Sequence, residues 1–367
     1  MIDRDELDAW LSLLEAPQVG RQTARRLLTA FGSPQAVRDA SDSAWREAAG
    51  VQRPHSAPDG RPSPEALVES TWQWLQGATA APRSVVTLGD AQYPRALLET
   101  ADPPLLLYVV GDVGLLNRPA LAVVGSRNPT PQGVENARAF ATGLGDCGWV
   151  IVSGLALGID GAAHEGALRS TSGTIAVVGT GLDRVYPRRH LELARRIAAQ
   201  GAIVSEFALG TPALAPNFPV RNRVIAGLAQ GTLVVEAALQ SGSLITARLA
   251  AEAGRDVFAL PGSIHAPQSR GCHALIKQGA KLVDSVQDIV DELQPQGRAA
   301  PAKAAQSAGE NTDPVLHALG HDPMTLDALV ARTGWPAPEL NARLLELELD
   351  GRVDRLPGQL FQRRVAA

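Results

Sequence analysis

Short apolar runs separated by amphipathic stretches fill the middle of the chain, between residues 84 and 292. The runs are continuous rather than alternating, which is typical of parallel strands that helices cover on both faces. Stretches of helical period, such as residues 132–144 and 191–199, lie between them. This alternation predicts a doubly wound α/β fold with a mostly parallel sheet. The predicted strands are 121–124, 150–152, 175–178, 203–204, 233–235, 257–260 and 282–283.

The first 80 residues have a different pattern and predict a small helical domain. Leucines at helical spacing precede a turn at residues 17–20, and apolar residues between 24 and 31 follow it at the same spacing. A proline-rich loop from Pro54 to Pro64 precedes another predicted helix at residues 66–75. We therefore place a domain boundary near residue 80, with the α/β domain over residues 81–292.

Two segments follow the α/β domain. A linker is predicted at residues 293–312, because this stretch contains no Val, Ile or aromatic side chain and cannot bury a core. Residues 313–367 predict three short helices, the second capped by Thr325 and the third opened by Pro338. A hairpin at residues 353–361 follows them. Three helices and a hairpin are the plan of a winged helix.

The formal net charge of −4 and the sequence pI of about 6.0 exclude a protein that is coated with positive charge. A nucleic-acid site would have to be a local basic groove. Cys147 and Cys272 form neither a disulfide framework nor a CxxC pair, which favours a reducing compartment. Residues 1–5 lack the apolar segment of a signal peptide, and no apolar run is long enough to span a membrane. We expect a cytoplasmic protein without membrane insertion.

Candidate chemistry lies where the predicted strands end. Gly125, Ser126 and Arg127 follow the strand at 121–124 and precede a helix, at the edge where open α/β sheets bind ligands. Glycine lets backbone N–H groups approach a phosphate, the helix contributes the positive end of its dipole, and Arg127 adds a bidentate donor. The alternative is an ordinary tight turn with a solvated arginine.

A glycine-rich turn follows the next predicted strand. Its glycines, Gly154, Gly158 and Gly161, do not fit the G-x-G-x-x-G spacing of a dinucleotide site. Asp160 and His164 lie at i and i+4 in the same segment, but they lack the partners of a metal or catalytic site. We interpret Asp160 as a helix-start residue and His164 as its packed neighbour.

Two later turns also follow strands. Gly181 precedes an aromatic and basic segment at residues 186–189, so this turn is either a phosphate or base contact or a surface turn. Ser241, Gly242 and Ser243 bring hydroxyl and N–H groups to the start of a helix, which suits an anion. The alternative for the second turn is plain N-capping by Ser243.

The segment from residue 217 to residue 227 has the most specific pattern. Arginine for phosphate, asparagine for a base or sugar edge, and an aromatic ring for stacking are the components of a single-strand site. The alternative is a helix start whose arginines pair with Glu206 or Glu236, with the aromatic residue in the core. The residues concerned are Phe218, Arg221, Asn222 and Arg223.

Signatures of catalysis and metal binding are missing from the sequence. It contains no G-x-x-x-x-G-K-[ST], no G-x-S-x-G and no H-E-x-x-H. His265, Cys272 and His273 lie near one another but lack zinc-site spacing, so we interpret them as structural. We expect no catalytic residue, no metal and no cofactor.

Taken together, the strand-end segments resemble the DprA family, which is also called Smf. They occur in the family's order over about 210 residues, and it is the ordered set that makes the resemblance specific. The matching segments are Gly125-Ser126-Arg127, Ser153-Gly154, Gly158-Ile159-Asp160, Ala163-His164, Gly179-Thr180-Gly181, Phe218-Pro219, Arg221-Asn222-Arg223, Glu236-Ala237, Ser241-Gly242-Ser243, Pro261-Gly262, Leu275-Ile276 and Gly279-Ala280.

The resemblance implies an extended Rossmann-like core that binds single-stranded DNA (ssDNA) as a homodimer. It implies that the protein protects incoming ssDNA and loads RecA recombinase during natural transformation, without catalytic residues or cofactor. The front segment resembles a SAM-type or helix-hairpin-helix module, and the tail resembles the family's winged helix. The candidate ssDNA-binding residues are Gly125, Ser126, Arg127, Gly154, Gly181, Phe218, Arg221, Asn222, Arg223, Ser241, Gly242 and Ser243.

Some positions depart from the family's pattern. Ala215 and Pro216 stand where some relatives have a basic residue, and His273 stands where Asn is usual. Gln18 occupies a hairpin position where a DNA-gripping hairpin prefers Gly, so we expect the front module to be structural or protein-binding. Residues 313–364 contain eight acids against six arginines. The winged helix therefore contacts either a protein or duplex DNA, in the latter case through Arg352, Arg355, Arg363 and Arg364.

Two other functions are compatible with the pattern. The first is a nucleotide-metabolising enzyme that cleaves nucleoside monophosphates, in which Glu236 and the Ser241–Ser243 turn would hold a ribose phosphate. That turn lacks the Pro-Gly-Gly signature of such enzymes. The second is a winged-helix regulator with a ligand-sensing core, which the acidic balance of the tail disfavours.

Overall fold

The structure is a computed structural model that describes residues 2–16, 19–50, 63–293, 313–320 and 323–364. The predicted hairpin position Gln18, most of the proline-rich loop and the linker after Leu293 lie outside the described residues. Within the described part of the chain, no helix is both long and apolar enough to cross a membrane.

Within the described residues, five helices form the N-terminal module. Their apolar side chains pack together and against the edge of the sheet, so that Leu7, Trp10 and Leu27 share one core with Leu106 and Tyr108. Serine side chains cap three of the helices by accepting a backbone N–H. The helices are α1 (Arg4–Glu15), α2 (Arg21–Phe31), α3 (Pro34–Asp39), α4 (Asp42–Ala49) and α5 (Pro64–Gln76).

The central domain alternates strands and helices, as the pattern predicted. Three short 3₁₀ helices, Val113–Asn117, Arg188–His190 and Pro267–Ser269, interrupt the connections. The elements are β1 (Arg83–Thr87), α6 (Arg95–Leu98), β2 (Leu106–Gly111), β3 (Ala120–Val124), α7 (Pro131–Asp146), β4 (Val150–Ser153), α8 (Ile159–Ala167), β5 (Thr174–Val177), α9 (Leu191–Gln200), β6 (Ala202–Ser205), α10 (Asn217–Leu228), β7 (Gly231–Val234), α11 (Ser243–Glu252), β8 (Asp256–Ala259), α12 (Arg270–Lys277), β9 (Lys281–Leu282) and α13 (Val286–Leu293).

These strands form one nine-stranded sheet in the order β1-β2-β6-β5-β4-β3-β7-β8-β9. The seven strands from β3 to β9 pair in parallel, and each coincides with a predicted strand. The apolar pattern did not predict β1 and β2, which pair antiparallel at one edge. A continuous apolar run such as residues 105–110 cannot be told from a buried helix by periodicity alone.

Helices cover both faces of the sheet, which confirms the doubly wound fold. Alternate residues of β3 enter different cores because successive side chains of a strand point to opposite faces. Ala122 and Val124 pack on the face with Val224 of α10, and Leu121 and Val123 pack on the face of α7 and α8.

A separate core forms the C-terminal winged helix. Leu340, Leu344 and Leu347 of its third helix are buried, and Thr325 caps the second helix as predicted. The third helix begins at Ala337, one residue before the predicted Pro338. The elements are α14 (Pro314–Leu319), β10 (Met324–Thr325), α15 (Leu326–Thr333), α16 (Ala337–Leu349), β11 (Val353–Leu356) and β12 (Leu360–Arg363), and the strand order is β10-β12-β11.

Candidate nucleic-acid interface

A cleft of about 690 Å³ opens at the carboxyl ends of the parallel strands. The chain proceeds from β3 through β4 and β5 to β6 on one side and then returns to β7 on the other side of β3. Loops separate at such a switch of direction and leave room for a ligand. The structure brings these candidate residues to the cleft: Gly125, Ser126, Arg127, Phe218, Arg221, Asn222, Ser241, Gly242 and Ser243.

The loop after β3 presents Arg127 to solvent. Its guanidinium lies 5.7 Å from the ring centroid of Phe218 and forms no ion pair with a carboxylate of the described residues. The backbone of Ser126 fixes the loop, because its N–H donates to the Glu236 carbonyl at 2.7 Å and its carbonyl accepts from the Ile159 N–H at 3.1 Å. Gly125 is required here, since a Cβ would lie 2.7 Å from Cγ1 of Ile159. Arg127 is thus an available cation on an anchored loop.

Arg221 lies buried at the floor of the cleft. Its Nη1 donates to the carbonyl of Gly154 at 2.6 Å and to the carbonyl of Val177, and its Nε donates to Oδ1 of Asn222 at 3.2 Å. Burial lowers the pKa of Arg221 to about 10, although the nearby carboxylate of Asp160 acts in the opposite direction. Arg221 remains a cation at neutral pH, but protein carbonyls occupy part of its donor capacity.

The turn after β4 supports Arg221, and although Ala156 and Asp160 of this segment line the cleft, the candidate Gly154 does not. Gly154 leaves space for the guanidinium, because a Cβ there would lie 2.4 Å from Nη1 of Arg221. Oδ2 of Asp160 accepts from the N–H groups of Gly154 and Ala156, both at 3.2 Å. Burial raises the pKa of the Asp160 carboxyl, and the charge of Arg221 opposes this rise. Asp160 therefore holds the turn and also faces the buried cation.

Two aromatic rings form one wall of the cleft. The ring centroids of Tyr186 and Phe218 are 5.7 Å apart, at an interplanar angle of 39°. Tyr186 is half exposed, and Arg221 also lies 6.0 Å from the ring of Phe218. The sequence pattern singled out the aromatic and basic segment at residues 186–189, but it did not make Tyr186 a candidate site residue. A tyrosine just beyond a glycine-rich strand end was the available signal.

The amino end of α11 also lines the cleft. Gly242 is the N-cap residue of this helix and Ser243 is its first residue, so the interpretation of Ser243 as the N-cap is wrong. Oγ of Ser241 lies 2.7 Å from Oγ of Ser243, and Nδ2 of Asn222 donates to the carbonyl of Gly242 at 3.4 Å. A Cβ on Gly242 would meet nothing within 4 Å. The turn is open toward the cleft, with the positive end of the helix dipole behind it.

Arg223 and Gly181 do not reach the cleft. Residues two positions apart on a helix point about 200° apart around its axis, so Arg223 faces away from Arg221. The Arg223 guanidinium donates to the carboxylate of Glu206 and to the carbonyl of Asp102, the latter at 2.5 Å. Gly181 is buried in the turn after β5, and its N–H donates to the carbonyl of Thr211 at 3.0 Å.

Glu236 also lies outside the cleft. Its carboxylate accepts from the N–H of Thr130 at 2.9 Å and from Oγ1 of Thr130 at 2.5 Å, at the start of α7. Burial raises the pKa of the Glu236 carboxyl, while the hydrogen bonds from Thr130 oppose this rise. Gly133 of α7 leaves room for it, since a Cβ there would lie 2.4 Å from Cδ of Glu236. Glu236 thus stabilises the start of α7. The carboxylate that the nucleotide-cleaving alternative would use is therefore not in the cleft.

The four candidate arginines of the winged helix lie on and beside its hairpin. Arg355 lies 5.7 Å from the ring of Phe361, and Arg364 lies 3.4 Å from a carboxylate oxygen of Asp354 and 4.0 Å from one of Glu135 on α7. Arg352 and Arg363 are partly buried. The structure places all four on the hairpin side of the domain and not in the cleft.

No cluster of three or more metal-ligating His, Cys, Asp or Glu side chains occurs in the described ranges. Cys272 is buried, and its burial raises the pKa of the thiol to about 12. His164 is buried with Nδ1 2.8 Å from Oγ1 of Thr174, and burial lowers the pKa of its imidazole to about 3. Both side chains serve packing.

Comparison with known proteins places this architecture in a family. Residues 84–294 match the family described as DNA recombination-mediator protein A, and residues 299–359 match the DprA winged helix domain. Protein Smf of Escherichia coli (strain K12) is 44% identical over 316 residues, which cover 83% of each chain.

Two solved structures share the fold. DprA from Streptococcus pneumoniae superposes with a TM-score of 0.64 at 37% identity, covering 79% of this chain and 98% of that one. DprA from Helicobacter pylori, whose structure describes a single-stranded DNA binding mode, has a TM-score of 0.53 at 34% identity, covering 57% of this chain and 95% of that one. The chain belongs to the DprA/Smf family of DNA recombination-mediator proteins.

Proposed function

We propose that this protein binds ssDNA in the cleft, protects incoming ssDNA and loads RecA recombinase during natural transformation. The observation that carries the ssDNA site is the cation Arg127, which pairs with no described carboxylate and lies beside Phe218, whose ring contacts that of Tyr186. A guanidinium that has no carboxylate partner binds a phosphate without first giving up an ion pair. The single-stranded DNA binding mode of the Helicobacter pylori relative supports the same ligand class.

Each wall of the cleft would contact a different part of the strand. Arg127 contacts a phosphate, and the rings of Phe218 and Tyr186 stack on bases without selecting their sequence. The positive end of the α11 dipole attracts a second phosphate to the Gly242 turn. Buried Arg221 contributes positive potential from the floor. Duplex DNA has stacked, paired bases and cannot offer them to these rings, so the cleft favours single strands.

In this proposal the cleft binds the DNA strand and cleaves no covalent bond in it. A nucleoside-monophosphate-cleaving enzyme would use Glu236, whose carboxylate is bound to Thr130 outside the cleft. We therefore assign no catalytic residue and no cofactor. Release of free base from nucleoside monophosphates, abolished in Glu236→Gln, would replace this proposal with the enzymatic one.

We further propose the domain division and partners that the sequence suggested. Residues 1–80 are a SAM-like module, 81–292 the Rossmann-like domain through which the protein forms a homodimer, 293–312 a linker, and 313–367 the winged helix. The distinct core of the winged helix supports its independence. Its hairpin arginines contact duplex DNA or a protein, and the protein acts in the cytoplasm. Those arginines are Arg352, Arg355, Arg363 and Arg364.

The test compares wild type with Arg127→Ala by fluorescence anisotropy, using ssDNA of several sequences and a duplex of equal length. Wild type should prefer the single strands, and Arg127→Ala should weaken all sequences alike by about tenfold, the size of one charge-assisted hydrogen bond. Arg195→Ala is the matched control, because this exposed arginine of α9 pairs with Glu192 at 2.5 Å. Equal binding by wild type and Arg127→Ala would refute the proposed site.

A further inference from the structure

A cluster of charged side chains joins the N-terminal module to the back of α10. Arg21 donates to Oδ2 of Asp102 at 2.8 Å, and Arg25 reaches Oδ1 of the same carboxylate at 2.6 Å. From α10, Arg223 lies 3.4 Å from Oδ2 of Asp102 and also pairs with Glu206. Arg21 lies 3.6 Å from that second carboxylate. Asp102 is thus a hub that contacts arginines from two separate parts of the molecule.

The segment around Asp102 is held from both sides. Arg25 of the module donates to the carbonyl of Pro103 at 3.2 Å, and Tyr93 donates to the carbonyl of Pro104 at 2.5 Å. Further along α10, a Cβ on Gly227 would lie 2.8 Å from Cδ2 of Leu97 in α6. The segment therefore lies between the module and α10, without space for α10 to shift freely.

The position of α10 matters because one helix serves two surfaces. Its cleft side carries Phe218, Arg221 and Asn222, and its opposite side carries Arg223. The side chains of Arg223 and Glu206 are each only 14% exposed, so solvent screens their attraction poorly. Although burial favours its neutral form, hydrogen bonding from Arg25 and the charges of Arg223 and Arg21 hold the pKa of the Asp102 carboxyl below its usual value.

We propose that the N-terminal module positions the ssDNA-binding face of α10 through this ionic cluster, with Arg223 and Asp102 as positioning residues. The inference rests on the proposed ssDNA function of the cleft. Arg223 thereby acquires a role in binding without touching the strand. The module becomes a determinant of ssDNA affinity, although none of its described side chains lines the cleft.

The salt dependence of binding separates positioning from direct contact. Each lost phosphate contact lowers the magnitude of the log–log salt slope by about 0.7 for single strands. Arg223→Gln and Asp102→Asn should each weaken ssDNA binding about threefold to tenfold with an unchanged slope, because the phosphate contacts remain while their geometry worsens. Arg223→Lys, which keeps the charge, should recover most of the affinity. A smaller slope in Arg223→Gln would show direct contact and overturn the proposal.

The module is tested by the double variant Arg21→Gln/Arg25→Gln. It should weaken ssDNA binding about threefold at constant slope and raise hydrogen exchange of the α10 amides at residues 217–228. Combined with Asp102→Asn, it should cause little further loss, because residues that act through one contact are not additive. Arg4→Gln is the matched control, since Arg4 pairs with Glu69 inside the module at 2.6 Å.

The outcomes distinguish the two proposals. If wild type binds ssDNA and Arg127→Ala weakens it, but the double variant and Asp102→Asn bind like wild type, the positioning proposal alone fails. If Arg127→Ala binds like wild type, the ssDNA site itself fails. Thermal unfolding of each variant identifies any that fail to fold. In that case the double variant Arg21→Gln/Arg25→Gln, which leaves Asp102 and α10 unchanged, decides the question: weaker ssDNA binding at an unchanged slope supports positioning, and wild-type binding overturns it.

Discussion

The cleft at the sheet edge and the winged helix both carry arginines, but these arginines have different surroundings. In the cleft, Arg127 faces an aromatic ring and pairs with no described carboxylate. In the winged helix, Arg343 of α16 contacts Asp313 and Glu346, and Arg364 contacts Asp354. An arginine that is already paired with a carboxylate must exchange that ion pair for a phosphate, which leaves little net gain. Local pairing therefore separates Arg127 from Arg343 and Arg364. It does not separate Arg127 from Arg355, which lies beside the ring of Phe361 and forms no ion pair within the described residues; Arg355 differs in lying outside the cleft.

The largest effect on ssDNA affinity is expected when an aromatic ring is removed from the cleft. Phe218→Ala should weaken ssDNA binding by about 1–3 kcal/mol, the contribution of one stacked base. Arg355→Ala is the matched control, because it removes the similar arginine–aromatic contact of the winged helix. Fluorescence anisotropy with one ssDNA at one salt concentration measures both. An equal loss of ssDNA affinity in the two variants would contradict the proposed difference between the cleft and the winged helix.

Acidification should destabilise the central domain more than the winged helix. The pKa of His164 is about 3 in the folded state against 6.5 ordinarily, so below pH 6.5 the unfolded chain binds a proton that the folded core does not. This contribution to stability is complete above pH 6.5 and declines as the pH falls toward 3. Between pH 7 and pH 5 the core should lose about 2 kcal/mol in its free energy of unfolding.

Hydrogen exchange at both pH values resolves this effect by region. The protection of amides in β4 and β5 should fall on acidification, while that of α16 changes less, because His164 lies in the central core. The variant His164→Gln should have a smaller loss between pH 7 and pH 5. A loss of equal size in wild type and variant would contradict the assignment to His164.

The smallest effect is expected from the winged helix. Replacing Arg352, Arg355, Arg363 and Arg364 together by Gln should change ssDNA affinity less than about twofold, since none of the four lines the cleft. Duplex binding by the same variant distinguishes the two alternatives for the hairpin, which are contact with duplex DNA and contact with a protein. A several-fold loss would assign the hairpin to duplex DNA, and unchanged duplex binding would assign it to a protein contact.

The sequence predicted the parallel part of the sheet and the winged helix well, because continuous apolar runs and helix caps are local signals. It did not predict β1 and β2, since antiparallel edge pairing depends on contacts between distant segments. The burial of Glu236 against Thr130 could not be predicted either, because the two residues are far apart in sequence.

The residues of the site divide in the same way. Arg127 and Phe218 could be found because each lies where a strand end or helix start is readable from the chain. The roles of Arg221 and Arg223 could not be separated, since they differ only by the helical rotation of two residues and by the acids that surround them. Tyr186 was missed because its proximity to Phe218 arises only in the folded chain.

The salt dependence of ssDNA binding by wild type and Arg127→Ala tests the central claim most directly. Removing one phosphate contact should lower the magnitude of the log–log slope by about 0.7, in parallel with the loss of affinity. Arg223→Gln, measured in the same series, should keep the wild-type slope. A slope that stays unchanged in Arg127→Ala would contradict the account, because Arg127 would then contact no phosphate.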